Sequence, residues 1–447
     1  MKDLTQGSIP KHIIEMSVPM AIGMLVQTLY FLVDLYFVGR LGDVALAGVS
    51  AAGNTMFMVM ALTQILGVGT VALISHAVGR KDQVDANLVF NQSLLLAAIL
   101  GIATLVFGYG LAGSYMGAIA ADNETITAGV TYLYWYMPGL ALQFALVAMG
   151  SALRGTGIVK PTMIVQMLTV VLNVILAPVL IAGWGTGRPM GVAGAGLAST
   201  LAIAAGVVML WIYFRRLEKY VSVERALWRP QFPVWKRMLG IGFPAGGEFF
   251  LMFIFMAVIY WAIRDFGAAA QAGFGLGSRV MQSVFLPAMA VAFSAPAVAG
   301  QNFGAKLPGR VRETFLWTAL MSSGFMLGLT ILCQFNASIL VSGFSSDPEV
   351  VTVAAVFLTI ISWNFVPTGF IFTCSGLFQA MGNTWPAMLS TATRLLTFVV
   401  PVAWVSTTPN FEIRDVWLLS VMAVAIQAVI SYLLLRREFG LRLRFTE

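Results

Sequence analysis

Charge is scarce in this chain. Of its 447 residues only 10% are Asp, Glu, Lys or Arg, whereas 59% are hydrophobic and mean hydropathy is +0.87. A soluble globule carries about 25% charged residues, so a water-soluble domain is excluded and the chain reads as a polytopic membrane protein. Cysteine is nearly absent too. Cys333 and Cys374 both lie in apolar runs, which excludes a disulfide framework or a cysteine-held metal cluster and leaves two packing residues. The opening residues Met-Lys-Asp-Leu-Thr-Gln-Gly-Ser-Ile-Pro-Lys-His are too polar for a signal peptide, and the apolar run after them is too long for a cleaved one. That run is expected to stay as a membrane helix. Enzyme signatures are missing as well: there is no His-Glu-x-x-His, no Gly-x-Ser-x-Gly and no Walker-type phosphate loop. Neither an enzyme nor a nucleotide-driven motor is expected, and uphill transport would have to run on an ion gradient. Gly67-Val-Gly69 and Gly275-Leu-Gly277 lie inside apolar runs, where glycine signals close helix packing.

What is present is a series of about twelve runs long enough to cross a bilayer, which takes roughly 20 apolar residues each. They fall near 12–39, 45–76, 87–115, 127–152, 161–184, 191–214, 238–263, 268–299, 313–341, 350–377, 386–406 and 416–435. The longest polar interruption, 215–237, separates helices six and seven and reads as a cytoplasmic linker between an N-lobe (1–214) and a C-lobe (238–447). Lys and Arg concentrate in alternate loops. With the N-terminus cytoplasmic, the basic loop residues on the far side reduce to Arg40, Arg188, Arg264 and Arg414. Both termini are therefore expected in the cytoplasm of a cell with this chain in its inner membrane. The net charge of +7 follows from that bias and from attraction to anionic lipid headgroups, and implies no nucleic acid.

An internal repeat runs through these helices. An offset of 225 takes Pro19 to Pro244, Gly42 to Gly267, Met56 to Met281, Gly79 to Gly304, Lys81 to Lys306, Gly157 to Gly382 and Pro161 to Pro386. Six helices per copy is an even number, so both copies cross the membrane in the same sense. The expected fold is all-α, with twelve transmembrane helices in two parallel six-helix repeats, a transporter architecture.

Ionisable groups inside the spans are few: Asp34, Glu248, Arg279 and Arg394, with Glu15, His12, His76 and Glu313 nearer helix ends. Each costs roughly 2.5 to 3.5 kcal/mol on insertion scales. Asp34 shares one helix face with Gln27 and Tyr30 at spacings of three and four. Protonation relieves the cost of burying a carboxylate, so Asp34 is expected to load and release a proton, or else to form an interhelical hydrogen bond. Glu248 follows Pro244 by about a turn, and Met252 and Phe255 extend its face. It either meets a cationic substrate or forms a salt bridge to Arg279 or Arg394. Those two arginines are read as structural charges, neutralised by a carboxylate or by helix-end carbonyls. The amides Asn91, Gln143, Gln166, Asn173, Asn364 and Gln427 suit interhelical bonding or substrate binding.

The segments Val-Asp-Leu-Tyr-Phe-Val-Gly-Arg-Leu-Gly (33–42), Leu-Arg-Gly-Thr-Gly-Ile-Val-Lys-Pro-Thr (153–162), Pro-Met-Gly-Val-Ala-Gly-Ala-Gly-Leu-Ala-Ser (189–199) and Gln-Ala-Met-Gly-Asn-Thr-Trp-Pro (379–386) resemble the multidrug and toxic compound extrusion (MATE) family, closest to its prokaryotic DinF-like branch. The resemblance implies a proton- or sodium-coupled antiporter without a cofactor, monomeric among membrane lipids, that exports cationic amphipathic small molecules by alternating access. It implies ion coupling at Asp34 with Asn173 and Ser199, and a substrate cavity at Gln27, Tyr30, Glu248, Met252 and Phe255. Two features depart from the family pattern. Helix five often reads Asn-x-x-x-Asp-Pro in relatives, whereas here it reads Asn173-Val-Ile-Leu-Ala177-Pro178. With that second acid missing, a sodium site is poor in charge, so proton coupling is expected and sodium is the alternative. Glu248 also lies one turn after the proline where many relatives place an acid two turns after. A flippase for a lipid-linked precursor is the runner-up, although its phosphates would want more cations than Arg279 and Arg394.

Overall fold

The structure, a computed structural model, describes residues 1–119, 122–343 and 347–445. Its helices are α1 (Ile9–Gly39), α2 (Asp43–Gly53), α3 (Thr55–Gly79), α4 (Gln83–Ile119), α5 (Asn123–Gly155), α6 (Lys160–Ile181), α7 (Val192–Arg216), α8 (Phe232–Ile263), α9 (Ala268–Gly304), α10 (Pro308–Ser342), α11 (Pro348–Ile361), α12 (Phe365–Ala380), α13 (Trp385–Val405) and α14 (Ile413–Arg442). Among the described residues there is no strand. Among the described residues eleven stretches are long and apolar enough to cross a membrane, and α9 stands at the eighth predicted span. The second and tenth spans are each broken, at Asn54 between α2 and α3 and at a short 3-10 turn, Ser362–Asn364, between α11 and α12. The fold is that of an all-α polytopic membrane protein built from two parallel six-helix repeats.

The repeat extends to backbone detail. Lys81 and Lys306 have φ of 59° and 58° and are the non-glycine residues with positive φ among those described. A lysine there is unusual, because the Cβ disfavours the left-handed region. Each closes its helix with a Schellman turn, Asp82 N donating to Ala77 O and Leu307 N to Asn302 O, both at 2.9 Å. Gly157 and Gly382 do the same for α5 and α12 at φ 80° and 71°.

Packing divides the chain into two compact units: residues 1–2 with 22–242, and residues 3–21 with 243–447. This partition differs from lobes cut at 214 and 238, because α1 and α8 each begin in one unit and continue in the other. In the first unit the start of α8 lies backbone to backbone on α3. A Cβ on Gly69 would strike the Met238 carbonyl, and one on Gly242 the Ile65 carbonyl. In the second unit, buried Leu4 donates its N–H to Gln301 Oε1 at 2.9 Å, and Arg310 reaches Asn302 Oδ1 at 2.8 Å and Gly7 O at 3.0 Å. The polar segment between α7 and α8 is held on α4 within the first unit. Asn91 donates to Ser222 O at 2.8 Å and accepts from Glu224 N at 2.8 Å and Trp228 Nε1 at 3.1 Å, while Gln92 binds Leu227 O and Arg229 O. These amides work as glue rather than as a substrate site.

Candidate functional site

In the first unit α1, α6 and α7 converge on one carboxylate. Asn173 Nδ2 donates to Asp34 Oδ1 at 2.8 Å, and Ser199 Oγ donates to Asp34 Oδ2 at 3.0 Å. Both donors are fully buried, and Asp34 itself is half-buried. The three residues expected to act together are thus brought together, each from a different helix. Among the described residues no cation is a hydrogen-bond partner of Asp34, so it can be neutralised without stranding an opposite charge. Asn173 Oδ1 is buried and has no hydrogen-bond partner among the described residues.

Three phenols lie near the acid. Tyr30 of α1 and Tyr132 and Tyr136 of α5 lie within electrostatic range of the Asp34 carboxylate. Tyr132 and Tyr136, ring centroids 5.2 Å apart, were not indicated by the motifs. A comparison of the two repeats would have found them. The offset of 225 takes Tyr30 to Phe255, Asp34 to Ile259, Tyr132 to Phe357, Tyr136 to Ile361 and Asn173 to Phe398, and all five apolar mates belong to one core cluster of the second unit. Where one repeat builds a polar site, the other builds a hydrophobic core. A cavity of about 60 Å³ is lined by Gln27, Tyr30, Met56, Tyr136, Gln143 and Gln166 among others, so two of the three phenols also face it. Gln27 and Tyr30 therefore do line internal space.

The second unit holds Glu248, Met252 and Phe255 along α8. Glu248 is buried and accepts from Ser375 Oγ at 2.9 Å. The salt bridge to Arg394 is not formed: among the described residues Glu248 accepts from Ser375 and Arg394 stands in no ion pair. The repeat mate of Glu248 is Gly23, where a Cβ would strike the Gln166 side chain, so glutamine fills in one repeat the space that the acid takes in the other. Arg394 also departs from expectation. It lies mid-helix, away from helix-end carbonyls and without a carboxylate, its guanidinium 3.9 Å over the Phe255 ring. Met252 is half-buried, and Phe255 packs on Phe398 at 4.8 Å. Among the described residues no group of three or more His, Cys, Asp or Glu could hold a metal ion.

The MatE family model matches the chain twice, over residues 19–179 and 244–405, in step with the repeat. The chain is 25% identical over 415 residues to a FAD transporter of Shewanella oneidensis, covering 90% of each chain. It is 26% identical over 428 residues to the probable multidrug resistance protein YoeA of Bacillus subtilis, covering 93% of this chain and 91% of that one. A multidrug resistance MATE family transporter of the MOP superfamily, solved in an outward-facing conformation, superposes with a TM-score of 0.92 at 25% identity over 99% of this chain and 98% of that one. The doubled match, the shared fold and the relatives agree: the chain belongs to the MATE family of multidrug and toxic compound exporters, a membrane transporter of small molecules and not an enzyme.

Proposed function

We propose that this chain is a proton-coupled antiporter that exports cationic amphipathic compounds across the inner membrane, with Asp34 as the proton carrier and both termini in the cytoplasm. The observation that carries the reading is the Asp34 shell: two neutral donors and three phenols, and no cation among its bonds. A charge-assisted hydrogen bond is worth about 1.5 to 3 kcal/mol, so Asn173 and Ser199 favour the ionised acid while burial favours the neutral one. Two states of comparable free energy are what a reversible proton carrier needs. Protonation from outside lets α1 repack and release the drug; loss of the proton to the cytoplasm restores the binding state. Ligand and proton each bias one two-state equilibrium. Glu248, which accepts from the Ser375 hydroxyl, supplies the negative charge that attracts a cationic drug. The basic residues gathered in alternate loops support the orientation.

One observation favours sodium as a second reading. Asn173 Oδ1 is a buried oxygen with no hydrogen-bond partner, next to a carboxylate and a hydroxyl, and hard cations take such oxygens. Purified protein in proteoliposomes separates the two. Under an imposed pH gradient, wild type should move a fluorescent cationic drug with an opposing change in lumenal pH, and Asp34→Asn should do neither while retaining its fold. Transport by a sodium gradient alone would replace the proton with sodium, and coupling retained in Asp34→Asn would end the role given to that residue.

A further inference from the structure

Arg394 carries a charge that nothing among the described residues neutralises. It is the tenth residue of the 21-residue α13, at least ~14 Å from either helix end. Lipid phosphates at the bilayer surface are therefore out of its reach. It does not face lipid tails either. Ala387, Ser390, Thr391 and Phe398 on its side of the helix are buried, whereas Leu389, Leu396 and Val400 on the far side are exposed. No carboxylate lies within ion-pair distance, its guanidinium makes no hydrogen bond among the described residues, and Nε is buried without a partner. A charge at such a depth is expensive unless it meets water, an anion or a counter-charge.

Its guanidinium sits over a ring. The guanidinium carbon lies 3.9 Å from the Phe255 centroid, a cation–ring contact that engages none of its N–H donors in a hydrogen bond to an anion and leaves them able to receive one in bidentate fashion. The repeat adds a second observation. The mate of Arg394 is Thr169, which lines the internal cavity of the first unit, and the mates of the neighbouring Met252 and Phe255 are Gln27 and Tyr30, which line it too. At the position matching Thr169 the second unit thus carries a cation, set beside Phe255 at the edge of its hydrophobic core.

We propose that Arg394, stacked on Phe255, is a specificity-determining residue that binds an anionic group of the exported amphiphile. Glu248 and Phe255 are seven residues apart on α8, about 10 Å along the helix. The class that suits both is a zwitterionic aromatic compound with its amine toward Glu248 and a carboxylate, sulfonate or phosphate at Arg394. This rests on the exporter reading for its cargo, but not on which ion drives transport.

Rhodamine B, a zwitterion, and its methyl ester, a plain cation with the same ring system, isolate the anionic group. Equilibrium binding to the purified full-length protein, followed by fluorescence anisotropy, should show wild type preferring the acid. Arg394→Gln should lower the acid-to-ester affinity ratio by at least about tenfold, the loss of one charge-assisted contact, and Arg394→Lys, which keeps charge without the planar fork, should fall between. A wild type that binds ester as well as acid overturns the proposal without recourse to any variant, as does an Arg394→Gln protein that binds the ester but keeps the ratio. Failure of gradient-driven transport with the Arg394-dependent ratio intact would instead sink the exporter reading and leave the recognition standing.

Discussion

Asn173 and Phe398 hold the same place in the two repeats, yet the first binds a carboxylate at 2.8 Å and the second packs on a phenyl ring at 4.8 Å. Their replacement should therefore fail in different ways. Asn173→Ala removes a hydrogen bond to a charged group, so it should slow gradient-driven transport by about tenfold or more and cost about 1.5 to 3 kcal/mol of stability. Phe398→Ala empties a buried ring site and should cost about 3 to 5 kcal/mol of stability. Transport rates in proteoliposomes and thermal unfolding in detergent check both. Equal stability losses in the two variants would contradict the asymmetry.

Glu248 should tolerate loss of its charge. Glu248→Gln keeps an acceptor for the Ser375 hydroxyl, so folding should be preserved, while affinity for a cationic dye should fall several-fold. Ser375→Ala leaves the acid without that donor and should be the less stable of the pair, by about 1 to 3 kcal/mol. Dye titration and unfolding curves separate charge from bonding.

Two glycines two residues apart on α8 predict opposite outcomes. At Gly242 a Cβ would overlap the carbonyl of Ile65, backbone that cannot rotate away, whereas at Gly240 nothing lies within 4 Å. Gly242→Ala should therefore destabilise by more than the roughly 1 to 3 kcal/mol of ordinary overpacking, seen as poor expression and early unfolding. Gly240→Ala should be neutral or slightly stabilising, because alanine favours helix.

Asp122 caps α5, its carboxylate accepting from Thr125 N at 2.7 Å. That amide holds the exposed carboxyl below the usual carboxylate range. A lowered value in the folded state means that its contribution to stability is complete above the unfolded-state value and is lost as pH falls through the folded one. Asp122→Asn still caps but does not titrate. The stability gap between the two proteins should thus narrow on acidification, and a gap that widens would refute the assignment.

Most of the helical plan was legible because a span needs only an apolar run of sufficient length. The breaks at Asn54 and at Ser362–Asn364 were not, because neither carries a proline to mark it. Asp34 stood out as a charge among aliphatics, but its bonds to Asn173 and Ser199 join helices 139 and 165 residues apart and could be anticipated through the family resemblance alone. Tyr132 and Tyr136 resemble any interfacial aromatics until the apolar mates Phe357 and Ile361 are set beside them. Arg394 was read as a neutralised structural charge, because whether a half-buried arginine finds a counter-ion depends on neighbours far away in the chain.

Residues 3–21 pack with the second unit, and 232–242 with the first. A chain severed in the polar segment before α8 would therefore yield two products, each holding a piece that completes the other. Neither product encodes a self-sufficient body, even though each contains one full copy of the repeat. The two genes of an ancestral duplication, if separated again, should complement only when expressed together, by reciprocal exchange of their leading ends.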